Sequence, residues 1–576
     1  MKVVLCTLNA KYIHSSIALR YLKSYCEDSS WKIDTIEFTI NQPLEDIRTR
    51  LFIAQPDVLS FSCYIWNIEI IAELCSDLKA LLPECIIVLG GPEVSFDAAE
   101  LLERDKNVDI VIRGEGEVTL KELLEHLKQK LSLADVDGIS YRAGSDIINN
   151  HDRRLMADLN AIPQVYDMDL AEFDDRLLYY ESSRGCPFNC TYCLSSTFAG
   201  VRTFSMERVK DDLRLIMKKG VRTVKFVDRT FNCNEKRARA IMEFILEHNE
   251  STKFHFEICA DLISDEFMEF LLKIPAGIFS FEIGIQSTYL PALEAVDRSC
   301  DIHRFTSNVR QLAEKGNIHL HLDLIAGLPE ERYTEFRQSF NQVYNLYPDV
   351  IQLGFLKMLK GSPLRRDAAK HGYIYQEHAP YQVLNSNYMS YPEFIKLSNI
   401  EKVLERYYNL GEYKTTLKYI TEIIYQENAM AFFEAFADYY LEKGWFGQGH
   451  TRADECNMLM IFIEEKHSEH REVVNEYLKY DFIINNRHSP LPDRLSAVMP
   501  ARTKDRLYGL LKDTNFVSKA LPELAHLSKY DLSKRVHLEI FNREPTNINS
   551  QKTGERAVLF VYPINQRKAE RIIFLE

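Results

Sequence analysis

Positive charge is in short supply in this chain: 70 Lys and Arg stand against 84 Asp and Glu over 576 residues, a net charge of −14. That balance excludes general nucleic-acid binding and broad attraction to anionic membranes, because both need a cationic surface to meet phosphate and release counterions. The short basic cluster Lys218, Lys219, Arg222 and Lys225 reads as a solvated helix end. Apolar runs long enough for a membrane span are missing, and Met1-Lys2-Val3-Val4-Leu5 has the pattern of a first strand, not of a signal peptide, so a cytoplasmic location is expected. Low-complexity tracts are missing too. Outside one loop the cysteines lie scattered in apolar segments, as at Cys63, Cys75, Cys85 and Cys259, which fits small buried hydrophobes in a reducing compartment better than disulfides.

That loop is Arg184-Gly185-Cys186-Pro187-Phe188-Asn189-Cys190-Thr191-Tyr192-Cys193, a CxxxCxxC array with three closely spaced thiolates. Four cysteines would close a zinc or iron–sulfur site, whereas Cys186, Cys190 and Cys193 on a 4Fe-4S cluster leave one iron free to bind and reduce something else. A zinc knuckle would want a fourth Cys or His at short spacing, and none follows.

The spacing, with an aromatic residue just before the last cysteine, resembles the cluster loop of the radical S-adenosylmethionine (radical SAM) enzymes. The resemblance implies that SAM chelates the open iron and is cleaved to methionine and a hydrogen-abstracting 5′-deoxyadenosyl radical. It also implies a reductant protein such as a flavodoxin or ferredoxin as partner. From about residue 177 to 364, strand, loop and helix repeat, with strands expected over 179–182, 223–227, 253–258, 279–285, 319–325 and 350–356. These six units suit the partial (β/α)6, TIM-like barrel of that family, with its chemistry at the strand ends.

By position, Asp228 in Asp228-Arg229-Thr230-Phe231-Asn232 stands where the family contacts the SAM amino group, although many relatives have glycines and a glutamate there. Glu257 matches a carboxylate that holds the SAM ribose, with an interior salt bridge as the competing reading. Glu282-Ile283-Gly284-Ile285-Gln286-Ser287 resembles the fourth-strand signature, which makes Glu282, Gln286 and Ser287 SAM contacts. Arg298 stands where relatives grip the SAM carboxylate with a guanidinium, a task suited to its planar donor fork. Asp323, in Asp323-Leu324-Ile325-Ala326-Gly327-Leu328-Pro329-Glu330, matches the residue that accepts from the ribose hydroxyls. No catalytic side chain is singled out, and the substrate stays unknown.

Before the barrel, strand-like runs alternate with amphipathic stretches: 2–8, 32–39, 58–62, 86–89 and 108–112 as strands, with helices near 16–26, 44–54, 68–82 and 119–130. That alternation predicts a Rossmann-like doubly wound parallel sheet, whose ligand crevice lies beyond the strands' carboxyl ends. The loops there resemble the cobalamin-binding domain that precedes many radical SAM barrels. Ser60 and Ser62 end one strand, Gly90, Gly91 and Pro92 follow the next, and Gly114 and Glu115 open the last helix. Adjacent glycines let backbone approach a ligand closely. The DxHxxG motif that supplies a histidine to cobalt's lower face is missing; His14 occupies the first loop without an Asp partner, so cobalamin without a histidine lower ligand is expected.

After residue 380, apolar residues recur at helical spacing over 394–410, 413–426, 429–443 and 452–478, and 557–562 with 571–575 reads as a terminal strand pair around the turn from Pro563 to Lys568. Cys456 stands alone there, so no second iron–sulfur cluster is expected. The architecture resembles an uncharacterised extension found on some cobalamin-binding radical SAM proteins. The expected organisation of this α/β chain is a cobalamin-binding-like domain over 1–145, a linker over 146–176, the barrel over 177–380 and a mostly helical α+β extension over 381–576. The function the resemblance implies is radical SAM chemistry with cobalamin-dependent methyl transfer to an unactivated carbon. Two alternatives stand beside it: a cobalamin-dependent radical cyclisation or rearrangement, and a non-catalytic cobalamin or redox sensor.

Overall fold

The computed structural model describes residues 1–167, 173, 175–197, 200–487, 489–495, 500–549, 553–563 and 567–575. The chain divides into two compact units, the first made of residues 1–339, 346–348 and 352–394 and the second of the remainder.

The first unit begins with strands β1 (Lys2–Asn9), β2 (Lys32–Thr39), β3 (Val58–Ser62), β4 (Ile86–Gly90), β5 (Ile110–Ile112), β6 (Ile139–Ala143) and β7 (Asp146–Asn149), in the sheet order β2-β1-β3-β4-β5-β6-β7. The first five are parallel and the last two antiparallel. Between them run α1 (Ile17–Cys26), α2 (Leu44–Ala54), α3 (Ile68–Leu81), α4 (Ala98–Arg104) and α5 (Gly116–Gln129). Helices α1 and α5 cover one face and α2, α3 and α4 the other, so both faces of the sheet are cores. This is why all of β3 is buried and why β1 sends Val4, Cys6 and Leu8 into one core and Val3 and Leu5 into the other. The strand order reverses between β1 and β3, which opens a crevice beyond their carboxyl ends. Two differences from the sequence pattern bear on the site. The sheet runs past residue 145, because β6 folds back through Gly144 onto β7, and α5 begins at Gly116 instead of Thr119, with Glu115 in the cap position.

The second part of this unit contains β8 (Leu178–Tyr180), β9 (Ser183–Cys186), β10 (Gly200–Thr203), α6 (Met206–Lys218), β11 (Thr223–Phe226), α7 (Glu235–His248), β12 (Lys253–Ile258), α8 (Asp265–Leu271), β13 (Phe279–Gln286), α9 (Leu290–Ala295), α10 (Ile302–Lys315), β14 (His319–Ala326), and most of α11 (Tyr333–Tyr344) and of β15 (Val350–Phe355). Six strands form an open sheet in the order β15-β14-β13-β12-β11-β8, with β8 and β15 as its edges. Strand β13 buries Phe279, Phe281, Ile283 and Ile285 and turns Ser280, Glu282, Gly284 and Gln286 to the other side. On the buried side Phe256 packs against Phe226 and Phe231 with ring centroids 4.6 and 4.3 Å apart. The opposite row is polar. Lys225, expected with its neighbours at a solvated helix end, lies within β11 with its ammonium 2.7 Å from Glu282 Oε2, while Lys218 and Lys219 do end α6.

The cysteine loop leaves an antiparallel hairpin that sequence periodicity did not reveal, β9 against β10. Gly185, at φ 98°, sits where any Cβ would strike the Gly200 carbonyl. After the barrel strands come α12 (Pro363–Arg366), β16 (Ile374–Tyr375) and β17 (Val383–Asn385).

The second unit takes most of α13 (Tyr391–Leu404), then α14 (Lys414–Tyr419), α15 (Ala429–Glu442), α16 (Arg452–Lys466), α17 (Arg471–Asn485), α18 (Pro500–Lys512), α19 (Thr514–Ala520), α20 (Lys529–Ser533), β18 (Val536–Arg543), β19 (Thr553–Val561) and β20 (Arg571–Leu575). The continuous helix expected over 452–478 is broken at His467, whose φ of −145° is not helical. Helices α13 and α14 each run on into a π-helical turn, 405–409 and 420–424. The expected strand pair gains a third member, since β18 pairs with β19, while residues 564–566 of the turn lie outside the described ones. No described helix is long and apolar enough to cross a membrane.

Candidate functional site

Cys186, Cys190 and Cys193 line one cavity of about 170 Å³ at the carboxyl ends of the barrel strands. The loop that carries them is tied to the barrel through its backbone: Thr191 N–H donates to Val296 O at 3.0 Å, and Leu364 N–H donates to Thr191 O at 2.9 Å. Several polar groups approach the sulfurs. Ser195 N–H lies 3.4 Å from Cys193 Sγ, Arg298 Nη1 3.6 Å from Cys190 Sγ, and the Thr230 hydroxyl 3.6 Å from Cys186 Sγ. Cys259 shares the cavity wall, which the sequence did not suggest, but burial raises its thiol pKa far above normal and its proton goes to Asp261 Oδ1 at 2.9 Å. Three soft sulfurs and a fourth that keeps its proton suit an iron–sulfur cluster with an open iron better than a closed tetrahedral zinc site.

Glu257, Glu282, Gln286, Arg298 and Asp323 line the same cavity. Burial pushes Glu257 up to about 7, against the pull of Arg229, whose Nη1 is 3.8 Å from Glu257 Oε1. Burial would raise Glu282 as well, but His255 Nε2 at 2.8 Å and Lys225 Nζ at 2.7 Å outweigh it and hold the carboxyl far below its ordinary range. His321 Nε2 lies 2.8 Å from Asp323 Oδ1; burial alone would lower the imidazole, but the carboxylate raises it above 6.5. Gln286 sits at a bulge with φ 73°, and its amide folds back into space that only Gly284 leaves free. Arg298 donates to Gly284 O and keeps a buried Nε with no partner, a donor available to a ligand in the cavity.

Two expected SAM contacts are not brought into this cavity. Asp228 is buried behind the cysteine loop, where it accepts from Ser182 N–H at 2.9 Å and from the Ser182 and Ser183 hydroxyls at 2.6 and 2.5 Å. Arg229 and Thr230, the next residues along, reach the wall in its place. Ser287 is fully buried and donates to Glu331 Oε1 at 2.5 Å, whose carboxyl burial pushes up to about 7. Both placements have one physical cause: a residue at a strand end alternates or turns away, and sequence position alone does not say which way.

A second cavity, of about 250 Å³, opens at the switch point of the first sheet and is walled by Ser60, Ser62, Gly90, Gly91, Gly114 and Glu115 together with Tyr64 and Leu120. A third, of about 330 Å³, is walled by Gly91, Pro92, Gly114 and Glu115 on one side and by Ser183, Arg184, Ser195 and Arg229 on the other. The third shares Gly91, Gly114, Glu115, Glu181 and Arg184 with the second, and Ser195 and Arg229 with the cysteine cavity. Gly91, at φ 109°, must be glycine because a Cβ would lie 2.6 Å from Cys63 O, and a Cβ at Gly114 would meet nothing within 4 Å. Gly114 leaves its part of both walls open, so a large ligand such as cobalamin can approach the loop backbone there. His14 lies elsewhere, with Nδ1 2.7 Å from the Tyr179 hydroxyl and its ring outside both walls.

Buried ion pairs join the two halves of the third cavity. Arg184 reaches Glu117, Glu181 and Glu115 at 2.6, 3.0 and 3.3 Å, and Arg202 reaches Glu115 at 2.7 Å. On the far side Lys360 reaches Asp97 at 2.8 Å and Glu93 at 3.3 Å, and the Tyr381 hydroxyl donates to Glu93. Sequence reasoning missed this network, whose one trace is charge inside loops that are otherwise glycine-rich.

Residues 3–124 match the family described as B12 binding domain, residues 180–343 the Radical SAM superfamily, and residues 369–560 a family described as a protein of unknown function, DUF4080. The cobalamin-dependent radical SAM methyltransferase TokK from Streptomyces tokunonensis is 28% identical over 310 residues, covering 50% of this chain and 45% of TokK. The anaerobic magnesium-protoporphyrin IX monomethyl ester cyclase of Synechocystis sp. is 25% identical over 289 residues, covering 49% of this chain and 58% of the cyclase. The chain therefore spans about half the length of these curated relatives. The structure of the cobalamin-dependent S-adenosylmethionine radical enzyme OxsB with aqua-cobalamin bound shares the fold, with a TM-score of 0.58 over 92% of this chain and 84% of OxsB at 16% identity. The chain joins a B12-binding domain to a radical SAM domain and a C-terminal DUF4080 region, and it is homologous to the cobalamin-dependent radical SAM methyltransferases.

Proposed function

We propose that this protein cleaves SAM reductively at a 4Fe-4S cluster held by Cys186, Cys190 and Cys193, and that it uses cobalamin to transfer a methyl group to an unactivated carbon. The observation that carries this reading is the run of adjoining cavities, from the glycine cradle of the first sheet to the cysteine loop, through walls shared at Ser195 and Arg229. When bound, the cluster supplies the electron that opens the sulfonium to a hydrogen-abstracting radical, and cobalamin supplies the methyl group.

The chain's own residues bind and orient. Arg298, with an unpartnered Nε and a fixed fork, holds the SAM carboxylate; Glu257 and Asp323 accept from its ribose hydroxyls. Lys225 and His255 keep Glu282 ionised, so a fixed negative charge lines the cavity that would take the cationic SAM. Ser60, Ser62, Gly90, Gly91, Pro92, Gly114 and Glu115 would form the cobalamin cradle. A flavodoxin- or ferredoxin-type protein delivers the electron.

A second reading keeps both cofactors and ends in ring closure, which the similarity to the magnesium-protoporphyrin ester cyclase favours. SAM carrying a deuterated methyl group separates the two. Methyl transfer adds the labelled methyl mass to product, whereas cyclisation gives deoxyadenosine without that gain. Loss of SAM cleavage in a fully reconstituted preparation would contradict both.

A further inference from the structure

Arg184 and Arg202 stand directly opposite each other in the β9/β10 hairpin, in register as Arg202↔Arg184. Two like charges facing across an antiparallel pair repel. Here the repulsion is absorbed by a residue from another domain, since Glu115 of the first-sheet loop lies between them and accepts from both guanidinium groups. Arg184 also holds Glu117 at the start of α5 and Glu181 at the end of β8, and its side chain is only 14% exposed. The same Arg184 and Glu115 wall both the first-sheet cavity and the cavity between the domains, and Cys186, two residues on from Arg184, ends β9. The Gly114-Glu115-Gly116-Glu117 loop is thus both a wall of the proposed cobalamin cradle and the counter-charge that holds the cluster hairpin in register.

From this juxtaposition we propose that Arg184 is a positioning residue that couples the two cofactor sites: filling the first-sheet cavity fixes the 114–117 loop, the fixed loop sets the hairpin through Arg184, and assembly of the cluster on Cys186 in turn tightens cobalamin binding. The coupling rests on the cofactor reading above, and linkage makes it reciprocal. The network costs side-chain freedom only once, so whichever cofactor binds first orders the charges that the second one needs.

The test is a titration of the full chain with hydroxocobalamin, followed by absorbance, with and without the reconstituted cluster. Wild type is expected to bind about tenfold more tightly with the cluster in place, within the ordinary range of coupling between sites. In Arg184→Met that ratio falls to about one while both cofactors still bind, and Arg184→Lys, which keeps the charge but cannot bridge the three carboxylates together, gives an intermediate ratio. Addition of hydroxocobalamin is also expected to shift the electron paramagnetic resonance spectrum of the reduced cluster in wild type and not in Arg184→Met. Should Arg184→Met fail to fold, Glu117→Gln removes one of its partners and leaves the Arg202–Glu115 pair, and a reduced ratio there supports the coupling. A wild-type ratio of one, or an unchanged ratio in the variants, overturns it. A chain that binds no hydroxocobalamin in either state overturns the cofactor reading as well, so the two failures are distinguishable.

Discussion

The two parallel sheets of this protein use their strands in opposite ways. In the first sheet, helices cover both faces, the central strand β3 is buried throughout, and the polar groups that face a cavity lie in the carboxyl-terminal halves of strands and in loops. In the barrel only one row of each strand is apolar, and the other row carries Lys225, His255, Glu257, Glu282, His321 and Asp323 as interlocking charges. A TIM-type barrel commonly fills its interior with branched aliphatic side chains. Replacing that filling by charged groups gives up hydrophobic stabilisation for a cavity that can grip a polar, charged cosubstrate such as SAM. The first sheet keeps its apolar cores on both faces, because its cavity lies at the strand ends and loops.

Substitutions can break this contrast at several points. The largest effect is expected from Cys190→Ala, which abolishes SAM cleavage and lowers iron content while leaving the first-sheet cradle intact, as deoxyadenosine formation and iron analysis would show. Leu59→Ala, inside the first sheet, should cost about 3 kcal/mol through the cavity it leaves. Lys225→Met in the barrel should cost somewhat less, about 2 kcal/mol, for a different reason, since it strips a half-buried carboxylate of one of its two partners. The two are separated by a second change: adding Glu282→Gln to Lys225→Met recovers most of the loss in denaturation midpoint, whereas no charge change rescues Leu59→Ala. Gly91→Val forces a left-handed backbone and a clash with Cys63 O, with a cost of about 2 kcal/mol and loss of cobalamin retention on desalting.

The smallest effect is one of pH. Because Asp323 raises the folded pKa of His321 above 6.5, the pair's stabilisation is complete below that value and fades as pH rises through the folded one. His321→Gln should therefore lower the melting temperature more at pH 6 than at pH 8.5, by the equivalent of about 1 kcal/mol. An equal deficit at both values would show that the pair does not titrate as described.

Much of this organisation is legible in the residues alone, and the contrast between the sheets explains which part. Continuous apolar runs and period-two alternation mark the strands of both sheets, and the CxxxCxxC spacing marks the cysteine loop, because local pattern specifies each of them. Direction at a strand end is not specified in that way. Asp228 turns behind the cysteine loop to cap Ser182 and Ser183, and Ser287 is consumed by Glu331, a residue far along the chain. The short hairpin β9/β10 was hidden because its strands are polar and glycine-bearing, and the Arg184 network because each of its charges looks like an ordinary loop residue until Glu115 is seen between two arginines. In the second unit, the break at His467 carries no glycine or proline to announce it.

The central claim is that the glycine cradle of the first sheet holds cobalamin beside the cysteine-bound cluster. Anaerobic reconstitution with iron, sulfide and hydroxocobalamin, followed by desalting and metal analysis, tests it most directly. Stoichiometric cobalt retained with the iron, with a base-off spectrum and SAM cleavage, is the predicted result. Full iron and SAM cleavage with cobalt lost on desalting would contradict it and leave the first sheet as a scaffold for a radical SAM barrel that works without cobalamin.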